Sequence, residues 1–303
     1  MNEFDKQLYD LLGTNKIKRN EMMSYHTTFR IGGPADYFVM PESKEEIQSV
    51  LELCKKEDMP FYILGNGSNL LVGDKGFFGV VIQIAKGMDQ VCFKKDGRVQ
   101  AFSGILLSKL AMEIAEQGLS GFEFASGIPG SLGGAITMNA GAYGSEIKDV
   151  IVEATIIDDV NKIRVLSKDE LTLSYRKSIV QRKGYVILDA VFEFQRGDRA
   201  TIMEVMNDLN RRRLEKQPLN LPSAGSMFKR PEGYFAGKLI DDAGLRGFRV
   251  GGAAISEKHC GFIVNIKDAT ANDVREVIYQ VDRRVFEQFG VHLEPEVRMI
   301  GNF

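Results

Sequence analysis

Residues 124–144 read FASGIPGSLGGAITMNAGAYG: six glycines, two serines, one proline and no charged side chain. Pro129 followed by Gly130-Ser131 predicts a helix start, because proline suits the first turn of a helix. The helix it would open, SLGGAITMNA, is poor in intrinsic propensity, since Gly133 and Gly134 each cost about 1 kcal/mol relative to alanine. Such a helix makes sense where something must lie against its backbone. Two readings stand. Backbone N–H groups freed of bulky neighbours can cradle phosphate oxygens; alternatively, the glycines serve a tight helix–sheet contact in a core of small residues.

Working outward, a second loop of the same kind lies upstream. Gly65-Asn66-Gly67-Ser68-Asn69 follows the apolar run FYIL (61–64) and precedes LLV (70–72). It offers several amides, the Ser68 hydroxyl and the Asn66 and Asn69 side chains. GNGSNL begins like the dinucleotide fingerprint but ends in Leu70, and no G-x-x-x-x-G-K-[ST] or G-x-S-x-G occurs. Two glycine loops without either familiar phosphate motif favour a diphosphate cofactor held by another fold.

The surrounding pattern predicts the elements. Ser43 with Glu46 reads as a capping box opening a helix with Ile47, Val50, Leu51 and Cys54 on one face. With strands at 61–64 and 70–72 this makes a small first unit, 1–78. From 79, VVIQI, a turn at Asp96-Gly97, a helix near 107–117, VIVEATIID, KIRVLS and YVILDAVFEFQ predict a largely antiparallel sheet with attached helices. A helix starting at Asp198 is expected to end in the arginine run 211–213, closing a second unit, 79–213. That run reads as a solvated helix face. Gln217–Pro222 breaks regular structure before a third unit, 214–303, with strands at 251–256 and 261–265 and a helix over 271–289. The last helix begins at Thr270 and Asp273 and carries Val274, Val277, Ile278, Val281, Val285 and Phe289 on one face. The final stretch, VHLEPEVRMIG, reads as a strand. The class is α+β.

A chain of 303 residues can bury roughly three quarters of its unfolded surface, so a full core is expected. The net charge of −2 gives no footprint for nucleic acid or an anionic membrane. Three separated cysteines suit reduced thiols, and three isolated histidines (His26, His259, His292) argue against a metal site. With no signal pattern at the N-terminus and no apolar run of about 18 residues, the expectation is a soluble, cytoplasmic protein. The sequence carries no signal for oligomerisation, and a monomer is compatible with it.

Three side chains stand out from their surroundings. Arg176 in LSYRKSIV sits among apolar and hydroxyl residues rather than in a charge run. Ser226 in SAGSMFKRP lies between Gly225 and Met227. Glu296 lies in LEPEVRMIG, where Glu294 would alternate onto the same strand face. Taken singly, a salt-bridged arginine, a helix-capping serine and an edge-strand glutamate account for them better than a catalytic role does.

Together the runs HTTFRIGGPADYFV (26–39), LGNGSNLLV (64–72), 124–144, SYRKS (174–178), AGSMFKRP (224–231), GGAAISEKHCGFIVN (251–265) and LEPEVRMIG (293–301) closely resemble the UDP-N-acetylenolpyruvoylglucosamine reductase family. The resemblance runs in order from about residue 17 to the C-terminus. It implies a vanillyl-alcohol-oxidase/PCMH-type FAD-binding fold of two subdomains, followed by a C-terminal α+β substrate-binding domain. It implies non-covalent FAD, since the clasping loops hold no histidine, with NADPH as electron donor and a nucleotide-sugar substrate. By the same resemblance Asn66, Gly67, Ser68, Asn69 and Leu70, with Gly127, Gly130, Ser131, Gly133, Gly134, Asn139, Gly141 and Ala142, clasp FAD. Arg176, Ser226 and Glu296 take the catalytic positions, and Tyr175, Lys216, Lys229 and His259 are candidates for substrate contact. The segment between Gln195 and the helix near 198 is too short for the tyrosine-bearing insert of the larger subclass, so the chain resembles the shorter one. His259 falls where some relatives have glutamine. Two rival functions are an oxidase of the same FAD fold and a non-catalytic nucleotide-sugar binding protein.

Overall fold

Caps and apolar stripes set the helices. In the computed structural model, which describes residues 2–303, α1 (Glu3–Leu12) opens with a reciprocal cap between Asn2 and Asp5. In α2 (Lys44–Lys56) the Ser43 hydroxyl accepts from the Glu46 amide at 3.2 Å. The expected capping box is only half made. The Glu46 carboxylate turns instead to the Glu42 amide (2.8 Å) and to Lys16 Nζ (2.7 Å), because a cation in reach outcompetes a neutral amide.

The chain falls into two compact units, each assembled from separate stretches. The first takes Met1–Lys18, Tyr37–Asn66 and Gly79–Arg213 and has two cores. In one, α1 and α2 bury Phe4, Leu8, Ile47, Val50 and Leu51 with Val80 and Ile82 of a parallel strand pair, registered from Phe61↔Val80 to Leu64↔Gln83. The other lies on a five-stranded antiparallel sheet in the order Ile163–Ser167, Ile151–Ile157, Val186–Phe192, Val99–Phe102, Val91–Phe93. Helices α3 (Leu107–Glu116), α4 (Leu132–Thr137), α5 (Ile179–Lys183) and α6 (Arg199–Lys216) belong to this region. Every residue of Val186–Phe192 is buried, Asp189 included. Its carboxylate meets the Lys44 ammonium, Gln100 Nε2 (2.8 Å) and Thr155 Oγ1 (3.0 Å), so the buried charge is paired and hydrogen-bonded.

The arginine run does not end α6, which continues to Lys216. Nor is it uniformly solvated. Arg211 and Arg212 both pair with Asp208, at 2.5 and 2.6 Å, on the exposed face, whereas Arg213 turns away into a half-buried position.

The second unit takes Arg19–Asp36, Gly67–Phe78 and Leu214–Phe303. Its antiparallel sheet runs Ser223–Ser226, Phe262–Asn265, Ala253–Ile255, Arg249–Val250. It shares a core with α7 (Ala236–Asp242) and α8 (Ala271–Phe289), including Met227, Ile240, Ile263, Val274, Val277 and Val281. The capping box of Thr270 and Asp273 is complete, and Asp74 adds acceptors for the Ala271 and Asn272 amides at 2.7 and 3.1 Å. The closing strand is shorter than the sequence suggests. Only Arg298–Ile300 pairs, in parallel with Leu70–Val72, while Pro295, lacking an N–H, makes an isolated bridge to Phe228.

Candidate active site

Within the first unit Gly65-Asn66, the start of the GNGSN loop, meets the glycine stretch. Asn66 Nδ2 donates to the Pro129 carbonyl at 2.5 Å. A Cβ on Gly65 would sit 2.0 Å from Ser131 Oγ, so only glycine lets these backbones approach. Ser131 is the N-cap of α4 but does not use its hydroxyl to cap it. The Leu132 and Gly133 amides turn inward to Ile105 (2.9 Å) and Ser103 (2.8 Å) carbonyls. The amides of Gly65, Asn66, Gly130, Ser131 and Gly134 have no acceptor among the described residues. At exposed Gly134 a Cβ would meet nothing closer than 3.7 Å, so protein packing does not demand a glycine there. Gly141 and Ala142 pair with Glu146 and Ser145 across a hairpin whose tip is Tyr143-Gly144.

Asn139 is fully buried. Its side chain donates to Glu146 Oε2 (2.9 Å) and to the Ser174 carbonyl (3.2 Å), and accepts from the Lys148 amide (3.0 Å). That engagement ties the glycine stretch to the SYRKS turn. Ser178 Oγ adds a second tie, donating to the Thr137 carbonyl at 2.7 Å, and accepts from the Gln181 amide to cap α5. Ser174 and Lys177 exchange both backbone hydrogen bonds, which puts Tyr175-Arg176 at the tip of a tight turn. Arg176 holds φ 56°, unusual for a bulky residue, and its guanidinium lies over the Tyr175 ring at 5.0 Å.

In the second unit the strand that ends in Ser226 leads into the segment that pairs with Glu296. The strand Ser223–Ser226 carries a bulge, since Ser223 faces Val264 and Ser226 faces Phe262. Gly225, at φ 77°, takes the turn of that bulge. Regular alternation would place Ala224 and Ser226 on one face. The bulge instead buries Ala224 and leaves Ser226 exposed. One residue on, Met227 accepts from the Glu296 amide at 2.8 Å, and the Lys229 amide donates to the Glu294 carbonyl at 2.9 Å. The Asn69 side chain donates to the Glu296 carbonyl (3.2 Å) and its own carbonyl accepts from the Arg298 amide (3.0 Å). Thus Asn69 and the Glu296 segment are joined directly within the second unit. The Gly67, Ser68 and Asn69 amides have no acceptor among the described residues. Gly67 packs against the His26 carbonyl, which a Cβ would strike at 2.0 Å.

The remaining candidates divide. Glu294 does not share the setting of Glu296; it is exposed and paired with the Lys229 ammonium. Lys216 is exposed at the end of α6. His259 is half-buried, with Nδ1 accepting from the Gly261 amide at 3.1 Å and its ring edge-on to Phe262. Burial pushes its pKa below the ordinary histidine value. The neutral tautomer therefore carries its proton on Nε2. Sequence reading missed Ser103, whose buried hydroxyl has no hydrogen-bond partner and lies beside Gly133. No group of side chains suited to a metal ion occurs among the described residues, and no helix there is long and apolar enough to cross a membrane.

Uncharged loops rich in amides without acceptors, one of them beside the orphan Ser103 hydroxyl, suit the diphosphate of a dinucleotide such as FAD. The FAD binding domain model matches residues 35–167, and the model for the C-terminal domain of UDP-N-acetylenolpyruvoylglucosamine reductase matches residues 217–300. The reductase of that name from Alkaliphilus oremlandii is 53% identical over 98% of this chain and 97% of its own. The one from Clostridioides difficile is 49% identical over 97% and 96%. The crystal structure of the Thermus caldophilus enzyme aligns with a TM-score of 0.81 at 35% identity, covering 94% of this chain and 99% of that one. Likeness on this scale, carried through both units, makes the chain a member of the UDP-N-acetylenolpyruvoylglucosamine reductase family.

Proposed function

We propose that the chain reduces the enolpyruvyl group of UDP-N-acetylglucosamine enolpyruvate, with NADPH as electron donor, to give UDP-N-acetylmuramate for peptidoglycan synthesis in the cytoplasm. The observation that carries this reading is the exposed Ser226 hydroxyl, set by a bulge next to the segment of Glu296. Bound FAD supplies a two-electron carrier able to take hydride from NADPH and give it to C3 of the enolpyruvyl double bond. The Gly65–Asn69 and Gly127–Ala142 backbones would hold its diphosphate without any charged side chain of their own.

Hydride at C3 leaves negative charge at C2, spread into the substrate carboxylate. Arg176, permanently cationic and able to form paired hydrogen bonds, would stabilise it. A protonated or hydrogen-bonded Glu296 would help to stabilise the same charge. Ser226 would then deliver a proton to C2; serine is a weak acid in water, but a carbanion-like centre is a very strong base, so position outweighs pKa. His259, neutral with Nε2–H free to donate, and Tyr175, Lys216 and Lys229 would serve substrate binding. Lys229 would have to exchange its bond to Glu294 for an anionic group of the substrate.

The test separates the half-reactions. Under anaerobic conditions NADPH should bleach the flavin, and substrate should restore its colour. Ser226→Ala should bleach normally but recolour roughly 10²- to 10⁴-fold more slowly. Equal impairment of both steps would remove Ser226 from the proton-donor role, and a colourless protein unable to take up FAD would sink the whole reading.

A further inference from the structure

Arg213 is a cation without a counter-charge. Its neighbours in the run spend their charge on Asp208, but Arg213 makes no hydrogen bond or ion pair among the described residues. It is half-buried on α6, against the start of the glycine stretch. A Cβ on Gly127 would lie 2.7 Å from Asn210 Oδ1, 3.0 Å from Arg213 Cδ and 3.4 Å from Arg213 Nη1. The same face of α6 receives the Ser126 hydroxyl at Asn210 Oδ1 (3.4 Å) and the Tyr143 hydroxyl at the Leu209 carbonyl (3.0 Å). All of these contacts are neutral. Burial lowers the pKa of the guanidinium, and no carboxylate acts to restore it. A withdrawn cation is costly unless something anionic completes it. The C-terminal end of α6 offers only a partial negative charge, smaller than that cost.

Gly130 is three positions on from Gly127, at most about 10 Å of extended chain. The Gly130 and Ser131 amides, which have no acceptor among the described residues, therefore follow closely on the point where the glycine stretch meets Arg213. We propose that Arg213 is an anion-binding residue, gripping a phosphate of a nucleotide diphosphate alongside the amides of the glycine stretch. Its planar fork matches phosphate oxygens bidentately. The diphosphate is that of FAD or that of the nucleotide-sugar substrate; the latter source rests on the function proposed above.

The experiment measures binding rather than turnover. Full-length protein carrying Arg213→Met, Arg213→Lys or, as a surface control, Arg211→Met is stripped of flavin and titrated with FAD by fluorescence quenching. The FAD-loaded proteins are then titrated with UDP by calorimetry. If the cofactor's diphosphate is the ligand, Arg213→Met weakens FAD binding roughly 10- to 100-fold, the loss of a charged hydrogen bond, with Arg213→Lys in between and Arg211→Met unaffected. A loss confined to UDP affinity assigns the substrate's diphosphate instead and still supports the residue's role. Melting of the flavin-free protein supplies the readout that separates binding from structure: Arg213→Met should melt no lower than wild type, because it removes a half-buried charge with no partner among the described residues. Unchanged affinity for both FAD and UDP would overturn the proposal, as would a fall in flavin-free melting temperature with affinities intact. Should the methionine variant fail to fold, the same two titrations on Arg213→Lys decide. A protein that binds FAD through Arg213 but reduces no substrate would fail the proposed function and leave this inference standing.

Discussion

At the scale of single residues, burial settles protonation where residue type does not. His259 would be half-charged near pH 6.5 in an unfolded chain, but its half-buried ring and Arg246 both oppose the proton. A depressed pKa means that this contribution to stability is complete above about pH 6.5. It is lost as the pH falls through the lower folded value, because the unfolded chain binds the proton first. His259→Gln should therefore flatten the fall in melting temperature between about pH 7 and pH 5 relative to wild type. Parallel melting profiles for the two proteins would show that His259 does not titrate in that window. Arg176, Ser226 and Glu296 were legible as candidates because each breaks its local pattern. Arg213 was not, since a run of three arginines looks the same whether one of them faces solvent or an interior.

At the scale of elements, periodicity and caps served well where an element is long and local. The last helix runs over 271–289 as its stripe and its Thr270–Asp273 box require. They served poorly where the geometry depends on a partner strand. The bulge at Ala224-Gly225 appears only in register against Phe262–Asn265, yet it decides which way Ser226 points. Gly225→Ala tests it. Its Cβ would have nothing within 4 Å, so any cost comes from φ 77° rather than from collision. We expect a loss of about 1–2 kcal/mol, a melting temperature lower by a few degrees, and slower flavin reoxidation by substrate with flavin reduction intact. Unaltered stability and reoxidation would show that the bulge neither strains the chain nor sets the serine.

At the scale of the whole molecule, thiol chemistry reports which parts stay closed. Cys92 is exposed, while Cys54 and Cys260 are buried, with pKa values pushed up to about 12 and about 11, mainly by desolvation. Thiolate is the reactive form, so at about pH 8 Cys92 alone should be alkylated in the native protein, and all three after denaturation. Rapid native labelling of Cys54 or Cys260, read by mass spectrometry, would show that the core around it opens. Each unit gathers distant stretches. Arg19–Asp36 and Gly67–Phe78 pack with 214–303, an interleaving that a linear pattern does not display.

By itself the sequence determined the α+β class, most of the helices and strands, the uncharged loops suited to a diphosphate, and membership of a family through motifs spread over nearly the whole chain. These depend on local propensity, caps and residue order, which are written in neighbouring letters. Only the tertiary structure decided that Asn66 meets Pro129, that Asn139 holds the Arg176 turn, that a bulge exposes Ser226 beside the Glu296 segment, and that Arg213 stands without a partner among the described residues. Those depend on which surfaces are desolvated together and on strand register, and both are set by contacts between residues tens to hundreds of positions apart.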